Sequence, residues 1–98
     1  MPAYMIVEVE TTDEALMTEY RKHTPGAVAK FGGKFIVRGG KTRTLEGGWK
    51  PSRMVVLEFP SYEAALACYH SPDYQAAKAL RQGKAEADIV VIEAFDGH

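Results

Sequence analysis

The sequence has 98 residues, 46% apolar and 26% charged, which fits one globular domain over 1–98 and excludes a disordered chain. Its 12 Lys and Arg against 13 Asp and Glu leave a net charge of −1, without the basic footprint of a binder of nucleic acid or anionic membrane. No apolar run approaches the roughly 20 residues of a bilayer span. Met1 to Met5 shows no secretory pattern, and the single cysteine, Cys68, allows no internal disulfide, so a cytoplasmic, reducing location is expected.

Ala3 to Glu10 is rich in β-branched and aromatic residues and predicts a first strand. Asp13 is placed to cap a helix, its side-chain oxygen accepting from a free N–H of the first turn. Leu16, Tyr20, Ala27, Val28 and Phe31 then form one apolar stripe at helical spacing. Pro25 lies inside that stripe and lacks a backbone donor, so a kink or break is expected near Thr24. Gly32-Gly33 ends the helix.

Lys34 to Arg38 predicts a second strand, with a bulge at Gly39-Gly40 and a continuation over Lys41 to Leu45. Gly47 to Pro51 reads as a hairpin loop and Arg53 to Phe59 as a third strand. Ser61 caps a second helix through Ala64, Ala65, Leu66 and Tyr69. Ser71-Pro72 breaks it and starts a short helix carrying Tyr74, Ala77, Leu80 and Arg81, which stops at Gly83. Asp88 to Phe95 is the last strand.

The order β-α-β-β-α-β predicts an α+β, ferredoxin-like domain, with both helices on one face of a four-stranded antiparallel sheet. Met54 to Leu57 and Ile89 to Ile92 are apolar at every position, where strands covered on one side should alternate. Both faces of these strands, taken as central, ask for burial. A second copy of the sheet is the simplest cover, so a homodimer through the sheet face is expected.

Several short stretches carry a family resemblance. They are Ala3-Tyr4, Thr12-Asp13, Tyr20, Phe31-Gly32-Gly33, Val37-Arg38-Gly39-Gly40, Glu46-Gly47, Arg53, Glu58-Phe59-Pro60, Ser71-Pro72-Asp73-Tyr74-Gln75 and Leu80-Arg81. Through them the chain resembles the bacterial domain-of-unknown-function family 1330, in the dimeric α+β barrel superfamily. The resemblance implies two ferredoxin-like sheets packed face to face. Superfamily members include monooxygenases, haem-degrading enzymes, lactone isomerases and chlorite-removing enzymes, with ligands held between helices and sheet. For the family itself it implies no reaction.

The residues offer few sites of their own. Cys68 and His70 are two apart on a helix, about 200° around its axis, and cannot pair. A buried, inert thiol is the expected state of Cys68. His23, His70 and His98 lack metal-ligand spacing and a carboxylate cluster, so no metal and no cofactor are expected, although His23 or His70 stays open as an axial haem ligand. The paired glycines match no phosphate loop.

What remains is Tyr20, His23, Arg38, Tyr74 and Arg81, polar or aromatic residues on otherwise apolar elements. Tyr74 and Arg81, seven apart, share a helix face. In a helix–sheet cleft an Arg would suit a carboxylate or enolate, and a Tyr or His could donate a proton. The first reading is therefore a cofactor-independent enzyme or binder of a small organic acid or oxygenated compound, with His23 at the mouth of the cleft. The alternative is a non-catalytic structural module in which Arg38 and Arg81 pair with carboxylates such as Glu58 or Asp73. A cleft whose polar groups are all paired internally would favour the module.

Overall fold

The computed structural model describes residues 1–10, 14–83 and 85–95, apart from the side chains at 14, 16 and 17. The expected Asp13 cap, the Leu16 member of the stripe and His98 lie outside the described residues. The elements are β1 (Ala3–Glu10), α1 (Glu14–Lys30), β2 (Lys34–Arg38), β3 (Arg53–Phe59), α2 (Tyr62–His70), α3 (Pro72–Arg81) and β4 (Glu86–Glu93). The strands form one antiparallel sheet in the order β2-β3-β1-β4. This is the expected α+β, ferredoxin-like arrangement, with the second helix split in two.

The split is written in Ser71. Its hydroxyl donates to the Cys68 carbonyl at 2.7 Å and accepts from the Tyr74 N–H at 3.2 Å, so one side chain closes α2 and opens α3. Pro72 follows at the first turn of α3, where a missing N–H costs nothing. Ser61 caps α2 by accepting from the Ala64 N–H at 3.0 Å.

In β1 the alternation is complete. Ala3, Met5, Val7 and Val9 are buried on the helix-covered face, and Tyr4, Ile6 and Glu8 point to the other. Register places Met5 and Val7 beside Leu57 and Val55 of β3 and beside Val91 and Ile89 of β4. The core closes where these residues meet Tyr20 and Val28 of α1, Ala65 and Cys68 of α2 and Ala77 of α3.

Five expectations change. Helix α1 runs unbroken through Pro25. The buried Thr24, Ala27 and Val28 hold both sides of the proline, and Pro25 itself is exposed, so packing outweighs one lost hydrogen bond. The β2 bulge falls between Phe35 and Val37 rather than at Gly39-Gly40, making Ile36 the extra residue. β2 also stops at Arg38 instead of continuing over Lys41 to Leu45, and β4 occupies Glu86–Glu93, two residues earlier than expected. Finally, β4 is an edge strand of the chain's own sheet, not a central one.

The face away from the helices carries Ile6 and Val56, half-buried, with Val37, Val90 and Ile92 exposed. Val90 is 59% and Ile92 54% exposed, so β4 supplies much of the open apolar surface. No helix among the described residues is long and apolar enough to cross a membrane.

Candidate functional site

Between α1 and the β2-β3-β1 part of the sheet lies a cavity of about 50 Å³, room for a few water-sized molecules. Its apolar wall includes Met5, Val7, Val55, Leu57 and Phe35. Its polar groups are Tyr20, Arg21 and Thr24 from α1, Arg38 from β2, Arg53 from β3 and Tyr74 from α3. Tyr20, Thr24 and Val28 reach it because they recur every four residues along one helix face. Arg53, Val55 and Leu57 reach it because alternate residues of a strand share a face. Arg38 pairs with Val55 across the strands and so points to the same side.

The tyrosines, 54 positions apart in sequence, meet with their hydroxyl oxygens 2.8 Å from each other. Behind them stands Arg81, only 6% exposed, its guanidinium carbon 5.6 Å from the Tyr20 ring centre. Burial pushes the Tyr74 hydroxyl well above the ordinary tyrosine range, the Tyr20 hydroxyl adds to this, and Arg81 only partly offsets it. Tyr74 therefore stays protonated at physiological pH, and either hydroxyl of the pair can be the donor. Burial works against the Arg81 charge, but the Tyr20 and Tyr74 oxygens together outweigh it and hold its pKa raised. Among the described residues the Nε of Arg81 has no hydrogen-bond partner, and neither has the buried Nε of Arg21.

The carboxylates expected to neutralise these arginines are engaged elsewhere. Glu58 pairs with Lys34 at 3.2 Å, and Asp73 pairs with Lys30. Among the described residues no carboxylate pairs with Arg21, Arg38, Arg53 or Arg81. Arg38 instead lies over the Phe35 ring, 4.4 Å from its centre. Arg53 packs against Gly39, where an added Cβ would stand 2.6 Å from a guanidinium nitrogen. The missing side chain at position 39 is what lets this arginine lie flat at the end of β2.

Of the five residues singled out in the sequence, Tyr20, Arg38 and Tyr74 line the cavity together. Arg81 backs the tyrosine pair and itself lines a groove on the far side, between α2, α3 and β4. His23 is exposed and is not part of the cavity lining. Sequence reasoning missed Arg21, Thr24 and Arg53. Thr24 and Arg53 carried a signal in their spacing, four from Tyr20 and two from Val55. Arg21 carried none, since it sits beside the apolar stripe. No three His, Cys, Asp or Glu side chains gather among the described residues.

Cys68 is fully buried, its thiol 3.7 Å from the Ala27 carbonyl, while His70 is exposed. Burial pushes the thiol up to about 11. The folded state thus favours the protonated form. That stability is complete below the unfolded pKa near 8.5 and is lost as pH rises through about 11. Urea unfolding should therefore show the Cys68 contribution to stability falling by up to about 3 kcal/mol from pH 8 to pH 11, and Cys68→Ala should remove that contribution. Labelling by a thiol reagent should be slow in the native protein and fast in urea. Equal rates in both would show an accessible thiol.

The model of one family, the domain of unknown function (DUF1330), matches residues 2–95. Among curated proteins none matches the sequence. Several solved structures share the fold. A Rhodopseudomonas palustris protein of unknown function, RPA0582, is 18% identical with a TM-score of 0.74, over 97% of this chain and 83% of that one. A dimeric ferredoxin-like protein of unknown function from Jannaschia sp. CCS1 is 20% identical with a TM-score of 0.67, over 96% of this chain and 100% of that one. SnoaB, a cofactor-independent oxygenase from Streptomyces nogalater, is 10% identical with a TM-score of 0.63, over 97% and 94%. At these identities the likeness is one of fold.

Proposed function

The chain belongs to the DUF1330 family, and from that premise we propose that it binds, and as an enzyme would turn over, a small organic acid in the helix–sheet cavity without a cofactor. The observation that carries this reading is a cavity lined by Arg21, Arg38 and Arg53 with no carboxylate paired to them among the described residues. Arg21 and Arg53 are half-buried and Arg38 is exposed, so water rather than a carboxylate answers their charge, and an arriving anion would take its place. The arginines would take the carboxylate by charge-assisted hydrogen bonds. Of the Tyr20–Tyr74 pair, the hydroxyl that accepts from the other would donate to it, and Met5, Val7 and Leu57 would hold the apolar body. The small volume selects a short acid. Against the non-catalytic module, Arg38 and Arg81 form none of the ion pairs it expected among the described residues; in its favour, Tyr20 and Tyr74 are buried core residues bonded to each other. SnoaB, a cofactor-independent oxygenase of like fold, supports chemistry that the side chains alone can serve.

The same reading includes a homodimer through the open sheet face, in the manner of a face-to-face barrel. The exposed Val90 and Ile92, and the dimeric Jannaschia protein, support it. The direct test of the cavity is thermal unfolding with a panel of two- to eight-carbon carboxylates beside their neutral amides. An acid present at ten times its Kd should add about 1.4 kcal/mol, a rise of roughly 5–10 °C for a domain of this size, while its amide should not. No shift with any acid at 10 mM would overturn the reading.

A further inference from the structure

The segment 39–52 joins two adjacent antiparallel strands, β2 and β3. Such hairpins usually need two to five residues, so most of this loop serves something other than the turn. It is anchored on the open side of the sheet. Glu8 points there from β1, and its carboxylate accepts from the Trp49 indole N–H at 3.2 Å and from the Ser52 backbone N–H at 2.9 Å. The Thr44 hydroxyl closes the loop by donating to the Trp49 carbonyl. So held, the loop presents Leu45, 88% exposed, and Trp49, 62% exposed.

Its charges are one half of an unfinished pattern. Lys41, Arg43 and Lys50 are exposed and form no ion pair among the described residues. On the open sheet face Glu8 stands directly opposite Asp88, and Glu10 opposite Glu86. Like charges directly opposite on a sheet repel. Glu10, Glu86 and Asp88 also have no cation partner among the described residues. The loop, with Glu46 against Lys41, Arg43 and Lys50, is net basic and carries exposed apolar surface, the sheet face carries acid and exposed apolar surface, and among the described residues no cation of the loop pairs with a carboxylate of that face.

We propose that the loop 41–52 is a docking arm for a second copy of this chain. Leu45 and Trp49 cover the partner's Val90 and the partner's Ile92, and Lys41, Arg43 and Lys50 meet the partner's Glu86 and the partner's Asp88. This deepens, and rests on, the pairing of two sheets through their open faces. A two-fold axis makes the contact reciprocal, so each arm closes the other copy's acidic strand. The arm adds charge specificity to an interface whose centre is apolar.

The test is sedimentation equilibrium of the full chain with two charge-reversed variants, Lys41→Glu/Arg43→Glu/Lys50→Glu and Glu86→Lys/Asp88→Lys. Each alone faces like charge with like in its own dimer, and should dimerise about tenfold or more weakly than wild type. Mixed one to one, they face opposite charges at both contacts, and a heterodimer of near wild-type affinity should form. Trp49→Ala should weaken the wild-type dimer with no change in its salt dependence. If the arm variant dimerises as tightly as wild type, or the mixture no more tightly than its components, the arm proposal falls while the sheet pairing stands. A wild type that stays monomeric to about 1 mM overturns both.

Discussion

Phe59→Ala should lower the unfolding free energy by about 3–5 kcal/mol, the usual cost of emptying an aromatic site in a core. Phe59 is 1% exposed and is the largest of the fully buried side chains among the described residues. Its ring lies against Gly33, where an added Cβ would stand 2.6 Å from Cε1. Gly33 in turn is fixed by the end of α1. Its N–H bonds the Val28 carbonyl at 3.0 Å, and that of Gly32 bonds the Ala29 carbonyl at 3.1 Å, the paired closure that follows a left-handed residue such as Gly32. On the strand side, register holds Phe59 beside Ala3, which has no bulk to move into the space. The site therefore collapses poorly, and the loss should fall toward the upper half of that range. A domain of this size has roughly 5–15 kcal/mol in all, so the variant should be marginal at 37 °C. Phe59→Leu keeps most of the volume and should cost less than about 1.5 kcal/mol. Urea midpoints read both, with the slope unchanged. A loss below about 1.5 kcal/mol for the alanine would mean that neighbouring groups refill the space.

Arg53→Gln should weaken binding of a carboxylate identified by thermal unfolding by about 10- to 100-fold, because a hydrogen bond to a charged group is worth about 1.5–3 kcal/mol. Stability of the free protein should stay level or rise, since Arg53 has no carboxylate partner to strand among the described residues. Arg81→Met gives the contrasting case. Arg81 is buried behind the tyrosine pair rather than in the cavity wall, and its Nε is unpartnered among the described residues. Its removal gives up the contacts to Tyr20 and Tyr74 that outweigh its burial, so it should lower stability by about 1–3 kcal/mol, with a smaller effect on affinity that arises through the two tyrosines. If either substitution instead destabilises the protein by about 3–5 kcal/mol, that arginine belongs to a buried ion pair, and the open-anion account of the cavity fails. Unfolding and calorimetric titration on the same samples separate the outcomes.

Much of the architecture was legible because it rests on local chemistry. Ser61 and Ser71-Pro72 announced two helix starts through their caps, and both are where the sequence places them. β1 and β3 were bounded by their β-branched runs and kept the same limits. Pro25 misled because a helix breaker acts locally, whereas the buried residues on either side act through the core. The early end of β2 was hidden for a similar reason. Nothing in Lys41 to Leu45 forbids a strand, and the chain leaves the sheet at Gly39, whose N–H still bonds the Met54 carbonyl at 2.8 Å.

By itself, then, the sequence determined the order of elements, the caps and the apolar faces, consequences of nearest-neighbour propensity and periodicity, while its short motifs carried the resemblance to the family. It also singled out Tyr20, Arg38 and Tyr74, since polar groups on apolar elements stand out wherever they occur. Only the tertiary structure decided which of them meet. A hydroxyl contact between residues 54 apart depends on how α1 and α3 lie over the sheet. The recruitment of Arg53 depends on strand register and on the bare Gly39 beside it. The exclusion of His23 follows from its exposed position on α1. The pairing of Glu58 and Asp73 with lysines, which leaves the arginines without a counter-charge, was likewise beyond local reading. Several carboxylates and cations compete for each partner, and only distance in the folded chain chooses between them.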